Sequence, residues 1–382
     1  MSADVIVVGA GIIGSSIAYH LARAGASTLL VDRSAPAAAP GATWASAGGL
    51  RSQGRYGPER PISLAASIRW QTLSQELDAN LEVALGGHLH VAESEAEFPI
   101  IEERVAADRS AGIAIESLKA DELRKIVPGI APSALMGAYT PGDGQAHPGR
   151  TARAFAAAAV RHGARAIYDS HALPLCEGGR VTGILTASGE KLSGGTVVLA
   201  TGAWSIALLK DLGIDLPIRW RGLQMLLSEI APAMLAPTVT AVGRNLSLKQ
   251  SPSGQLMVGG RWFARPQAPE PHAEPIDAHV ARQWSSAVGI LPAMAHLRLA
   301  QSWAGAEAQS LDGSPFIGPS GLPGLYLATG FSNHGFQISP EIGRLVASDL
   351  LSGPEPLLKA FRPDRPLSAE RAAAFKAETI LL

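Results

Sequence analysis

Val5–Asp32, VIVVGAGIIGSSIAYHLARAGASTLLVD, decides the fold. Val5–Val8 is a short apolar run suited to a strand covered on both faces. Ile13, Ile17 and Leu21 then recur at helical spacing, Gly25 is placed to end the helix, and a second strand closes on Asp32. Gly9 permits the tight turn, Gly11 lets the backbone approach a pyrophosphate, and Gly14 lets helix and strand pack closely. Amide N–H groups at the helix start, those of Ile12 and Ile13, face the phosphates, where the helix dipole favours an anion by about 0.3–1 kcal/mol. Asp32 is placed for the adenosine ribose hydroxyls and disfavours a 2′-phosphate, an exclusion that the adjacent Arg33 weakens. The βαβ unit predicts an adenine dinucleotide, FAD or NAD.

The whole chain has 382 residues, enough for two domains or one domain with a large insertion. A net charge of −1 without a basic stripe argues against nucleic acid and anionic membrane surfaces. The lone Cys176 excludes an internal disulfide, cannot by itself hold an iron–sulfur cluster, and is expected as buried packing. His88, His90, His147 and His171 show no metal-ligand spacing and are expected in structural roles, so no metal is assigned. The N-terminal apolar stretch lacks the basic flank of a signal peptide, and no run of 18 apolar residues occurs. A cytoplasmic protein without a transmembrane segment is expected.

Pro36–Arg55, PAAAPGATWASAGGLRSQGR, is too rich in Gly, Ala and Pro for a regular element and too long for an idle connection. Pro61–Leu81 reads as a helix and Gly87–Ala92 as a strand leaving the nucleotide domain; helices follow at Phe98–Ser110 and Ala120–Ile126. His147 and Pro148 open an alanine-rich helix, Arg150–Arg161, ended by Gly163, and with a strand at Arg165–Tyr168 it returns the chain to the first domain. Val181–Ala187 and Lys191–Leu199 read as paired strands ending in VVLATGAW, where Thr201 and Gly202 suit close backbone approach to a ligand. Leu216–Trp262 alternates short strands with turns, predicting an antiparallel sheet backed by a helix at Pro275–Val288. Arg265–Pro275 reads as mobile, and the end after Pro366 as frayed. GLYLATGFSNHGFQISPEIGRLVASDLL predicts a strand, a loop and a second anion-facing helix start.

The GAGIIG turn with Asp32, the GATWASAGGLR loop, VVLATGAW, and the closing WAG, DGSPFIG and GFSNHGF segments, in that order, resemble the D-amino-acid oxidase superfamily of FAD enzymes. The likeness is to the branch of glycine oxidase, sarcosine oxidase and the β-type subunits of hydroxyproline and opine dehydrogenases. It implies an α/β fold: a Rossmann-like FAD domain from residues 1–85, 148–212 and 301–370, and an α+β substrate domain, 86–147 and 213–300, on a largely antiparallel sheet. It further implies that Thr43, Ala47 and Gly48 line the flavin and phosphate path. Ala172 falls on the adenine side, with Thr201, Gly202, Trp204 and Gly305 along the cofactor. Gly330, Asn333, His334, Gly335, Phe336 and Gln337 fall at the pyrimidine end of the flavin ring.

The chemistry implied is oxidation of the C–N bond of a secondary or primary amino acid by hydride transfer to flavin, with the imine hydrolysed in water. Arg51 resembles a flavin-edge arginine able to favour anionic flavin or clamp a carboxylate, His334 is placed against the ring, and Gln337 stands where some relatives carry lysine. Arg55 and Arg261 are further carboxylate candidates. Glu307 replaces the carboxylate-binding arginine that follows WAG in glycine oxidases. Ala304 and Gly305 cannot form a cysteinyl flavin bond, so FAD is expected to be noncovalent. These departures point to hydroxyproline-, proline-, opine- or N-methyl-amino-acid substrates and to partner subunits carrying FMN or an iron–sulfur relay, with direct reduction of oxygen left open. The alternatives are a catalytically idle FAD-holding subunit and an NAD-dependent dehydrogenase.

Overall fold

The computed structural model describes residues 2–377. Its first sheet has eight strands, with a main path in the order Phe316–Pro319, Leu325–Thr329, Lys191–Leu199, Ser2–Val8, Thr28–Val31 and Arg165–Ile167. The pairings from Leu325–Thr329 through Arg165–Ile167 are parallel. Val5–Val8 is buried on both faces, as its unbroken apolar run requires. The helix Ile12–Arg23 packs on this sheet between Pro148–Arg161 and Gly335–Leu351. Gly9, at φ +108, makes the turn; a Cβ at Gly14 would lie 1.8 Å from the Gly9 carbonyl oxygen, so only glycine allows this helix to sit so close.

The second sheet, also of eight strands, runs Leu299–Ser310, Ile218–Ile230, Gln255–Gly259, Ser247–Gln250, Thr238–Ala241, His88–Ala92, Met136–Thr140 and Glu116–Lys119. It is antiparallel apart from the pair Thr238–Ala241 and His88–Ala92. Side chains alternate across it. Leu89, Leu226, Val239, Leu248 and Val258 pack against Ala287 and Ile290 of the helix Asp277–Ile290, and the intervening residues face the first sheet's side of the molecule. The expected division at residue 301 cuts Leu299–Ser310, which pairs along its length with Ile218–Ile230.

Four expectations are corrected. The helix expected over Pro61–Leu81 spans Arg60–Trp70, because the Trp70 indole donates to the Gln337 carbonyl (2.7 Å) and the chain then turns to bury Leu73, Leu77 and Leu81. Arg265–Pro275 is a small ribbon, Arg265–Pro266 paired with Ala273–Glu274, anchored by Ala273 packing on Gly222. After Pro366 the chain forms the helix Ala369–Ala377, where Phe375 stacks under the Arg219 guanidinium at 3.8 Å. Cys176 is exposed on the hairpin Ala172–Glu177/Arg180–Thr186, whose outer strand leaves it uncovered.

Candidate active site

One cavity of about 1190 Å³ extends from the glycine turn, under the Pro36–Arg55 loop, to the second sheet. Every candidate site residue named from the sequence lines it except Gly14, whose place is between helix and strand. At one end the helix Ile12–Arg23 starts at Gly11 with no side-chain cap. The Ile12 N–H donates to the Thr43 hydroxyl (3.0 Å), tying the loop to the turn. The only atom close to a Cβ placed on Gly11 is that hydroxyl, at 3.3 Å, so the absent methyl leaves open cavity. Asp32 accepts from the Ala10 and Ser34 amides (2.5 and 2.9 Å); burial pushes its carboxyl up against these bonds. Beside it, Arg33 lies over the Trp204 ring at 3.9 Å, and the buried Trp204 indole N–H has no partner among the described residues.

The other end closes where the loop before Gly335–Leu351 meets Leu299–Ser310. Ser332 and Asn333 hold φ of 51 and 71, left-handed values unusual for side-chain-bearing residues. Their amides are satisfied there: Ser332 N–H by the Ala308 carbonyl (3.1 Å) and Asn333 N–H by Glu307 Oε1 (2.8 Å). Burial, opposed by that one bond, pushes the Glu307 carboxyl up to about 7.

Arg51 directs Nη1 to the Gln53 and Gly54 carbonyls and forms no ion pair among the described residues. Burial and the neighbouring Arg55 and Arg104 lower its pKa to about 9, so it stays charged at neutral pH. Two candidates are already engaged. Arg55 gives Nε and Nη2 to the Arg51 carbonyl (2.8 and 2.6 Å) and pairs with Glu59 (3.2 Å). It braces the Arg51 loop and is not a free carboxylate anchor. Gln337 donates to the Ser63 carbonyl and Ser67 hydroxyl (2.9 and 3.1 Å) and accepts from Ser63 and Arg55 (2.9 and 3.4 Å). With its amide spent on Arg60–Trp70, Gln337 positions a helix and has no free donor for chemistry. His334 Nδ1 meets Glu59 Oε2 at 3.0 Å, while burial, then Arg55, lowers its pKa. Arg261 is exposed at the cavity rim with no ion pair among the described residues.

Sequence reasoning missed Glu59, the buried carboxylate joining Arg55 to His334, since no local pattern marks it. It also missed the sheet wall, where Leu223, Met225, Thr238, Thr240 and Ser247 face the cavity with His88; the alternation of polar and apolar residues in these strands was the available signal. His88 Nε2 and His90 Nδ1 both meet the Thr240 hydroxyl (3.0 and 2.8 Å), and His147 caps its helix by accepting from the Arg150 amide. Among the described residues no group of His, Cys, Asp and Glu is arranged to hold a metal, and no helix is long and apolar enough to cross a membrane.

The family model described as FAD dependent oxidoreductase, DAO, matches residues 4–348. The chain belongs to the DAO family. It is thus an FAD-dependent oxidoreductase of the glycine and sarcosine oxidase type, and the NAD alternative is set aside. Glycine oxidase of Pseudomonas aeruginosa is 31 % identical to this DAO chain over 368 residues, covering 94 % of the chain and 97 % of that protein. The beta chain of sarcosine oxidase from Arthrobacter is 27 % identical, covering 97 % and 91 %. An opine oxidase subunit from Rhizobium meliloti is 28 % identical, covering 91 % and 95 %. L-proline dehydrogenase from P. horikoshii shares the fold, with a TM-score of 0.88 at 24 % identity over 95 % of this chain and 97 % of that one.

The residues fit FAD. An uncapped helix start beside a glycine that leaves space open, and an orphan indole N–H near a ribose-type acid, are features that a dinucleotide would complete.

Proposed function

We propose that this chain oxidises the C–N bond of an amino acid with a secondary nitrogen: an imino acid such as proline or hydroxyproline, an opine, or an N-methyl amino acid. The observation that carries the reading is the continuity of one cavity from the phosphate-type turn at Gly11 to a wall of Leu223, Met225, Thr240 and Ser247. Bound there, FAD supplies the two-electron sink for a hydride equivalent from the carbon beside nitrogen, leaving an imine that water hydrolyses. Cys176, outside the cavity lining, supports noncovalent binding.

In this reading the turn residues Gly9–Ile13, with Thr43, hold the pyrophosphate and Asp32 holds the ribose. The start of Gly335–Leu351 and the unpaired Arg51 provide positive potential where negative charge develops on reduction. Glu307, with Oε1 bound to Asn333, offers Oε2 to the substrate ammonium; its carboxyl, raised to about 7, is suited to take that proton near neutral pH.

Three relatives are named as subunits, two of sarcosine oxidase and one of opine oxidase, and they support electron transfer to partner subunits carrying FMN or an iron–sulfur relay. One cysteine cannot supply that relay here. The engagement of Arg55 and Gln337 favours a second reading, an FAD-holding subunit without turnover of its own. Anaerobic mixing separates the two. Bleaching of the yellow holoprotein by D-hydroxyproline, proline, sarcosine or an opine supports oxidation, whereas a spectrum unchanged across that panel supports the scaffold.

A further inference from the structure

We propose that Glu59 is a positioning residue for His334: it fixes the imidazole so that Nε2 opens onto the flavin end of the cavity, and His334 takes a proton from water there when the bound flavin is reduced. This rests on the flavin position proposed above and gives a role to the buried carboxylate that no sequence pattern marked.

Two turns bring the pair together. Ser332 and Asn333, in left-handed conformation, set His334 at the cap position of Gly335–Leu351, with its N–H on the Phe331 carbonyl (2.9 Å). Its side chain does not cap that helix; Nδ1 turns instead to Glu59 Oε2, 3.0 Å away. Glu59 ends the short turn Gly57–Glu59 and stands at the N-terminus of Arg60–Trp70, where the helix dipole favours an anion, and its Oε1 meets Arg55 at 3.2 Å. Burial raises the Glu59 carboxyl, but the His334 bond and then Arg55 outweigh it and hold it below the usual carboxylate range.

An ionised carboxylate only accepts, so Nδ1 carries the hydrogen, and in the neutral ring Nε2 is left as an acceptor. Among the described residues nothing bonds to Nε2. The His334 side chain, 27 % exposed, lines the cavity, and Glu59, 3 % exposed, stands behind it outside the lining. The charges around the ring are Glu59 on one side and Arg55 and Arg51 on the other, with Glu307 reached through the Asn333 amide. Burial, then Arg55, keeps the imidazole neutral at pH 7 against the pull of Glu59.

Reduction changes that balance. Two electrons add a negative charge beside His334, and an anion next to an imidazole already paired with a carboxylate raises its proton affinity past neutral pH. The electrons and one proton reach the flavin together as the hydride equivalent, and a second proton passes from water to Nε2, so the site gains no net charge. It is a different proton from the one that Glu307 takes from the substrate. With Glu59 neutral, the imidazolium would face Arg55 and Arg51 without a counter-ion, and the proton would stay in solvent.

Equilibrating the FAD-loaded protein with a chemical reductant and reference dyes across the neutral pH range, without any amine, counts the protons taken up with the two electrons. Each proton is a tenfold change in the reduction equilibrium per pH unit, about 30 mV for a two-electron couple. The wild-type potential should fall with pH more steeply than that of His334→Asn by about 30 mV per unit. Glu59→Gln, which keeps the hydrogen bond but not the charge, should follow His334→Asn. Because the Glu307 carboxyl also titrates at about 7, the difference should persist in a Glu307→Gln background. If His334→Asn does not hold FAD, Glu59→Gln against wild type carries the test. Equal slopes in wild type and variants, or a difference that vanishes in the Glu307→Gln background, overturn the inference. A histidine-dependent slope in a protein that no amine reduces would keep it and sink the oxidation reading. Bleaching by proline or an opine together with a slope indifferent to His334 would do the opposite.

Discussion

Gly11 and Glu307 stand at opposite ends of one cavity and show how differently single residues reveal their roles. Gly11 was legible in the sequence because its constraint is local: a turn, a helix start and an approaching phosphate all follow from spacing. Replacing it with alanine puts a methyl into the space beside Thr43, so Gly11→Ala should cut retained FAD several-fold, measured as flavin absorbance per protein; full retention would contradict the turn assignment. Glu307 was legible only as an oddity, because its burial and its bond to Asn333 come from distant chain. A carboxyl raised to about 7 binds a proton in the folded state that the unfolded state releases near pH 4.5. The unfolded state then holds fewer protons between these values, so the stability is present below about 4.5 and lost as pH rises through about 7. Melting curves of Glu307→Gln and wild type should diverge in the variant's favour from pH 5 to 8, on the order of 2 kcal/mol; parallel curves would show a carboxyl already ionised. Arg51→Ala should slow flavin reduction on the order of 10–100-fold while FAD content stays near wild type. An unchanged rate would remove Arg51 from the site.

Elements were read best where periodicity is self-contained. Phe98–Ser110 and Ala120–Ile126 fold over the expected residues, and the alanine-rich helix opens at His147 and Pro148 as read, with His147 as its cap. Arg60–Trp70 stops short because its end is set by another helix: Trp70, Ser63 and Ser67 all bond to Gln337. That dependence has no sequence signal, since the partners lie some 270 positions away. The crossing of Ile12–Arg23 and Gly335–Leu351 is equally non-local. Ser16 donates to the Ser339 carbonyl (2.8 Å), and a Cβ on Gly343 would fall 2.2 Å from the Ser16 hydroxyl and 2.7 Å from its backbone. Gly343→Ala should therefore force the helices apart and destabilise the protein by about 1–3 kcal/mol, seen as a lower denaturant midpoint with FAD content falling in step. A midpoint equal to wild type would show that the crossing has slack.

At the scale of the molecule, the cavity lies where the two sheets meet, and the Pro36–Arg55 loop joins them. The Ala306 amide donates to the Pro40 carbonyl (3.0 Å), the Trp303 indole to the Ala45 carbonyl (3.3 Å), and Gly49–Leu50 pairs with Gly144–Gln145. Composition marked this loop as functional but could not say what it touches, because its partners come from strand Leu299–Ser310 and from the dinucleotide turn through Thr43. A loop held at both sides of a cofactor cavity is ordered partly by what fills that cavity, and a ligand that binds only the folded state stabilises it by mass action, about 2.7 kcal/mol at a hundredfold excess over its dissociation constant. Stripping FAD should therefore lower the melting temperature by several degrees and open Pro36–Arg55 to protease before any strand of either sheet, with both effects reversed by adding FAD back. If the stripped protein melts as before and is first cut elsewhere, the loop is held by its protein contacts alone, and cofactor binding does not couple the two halves.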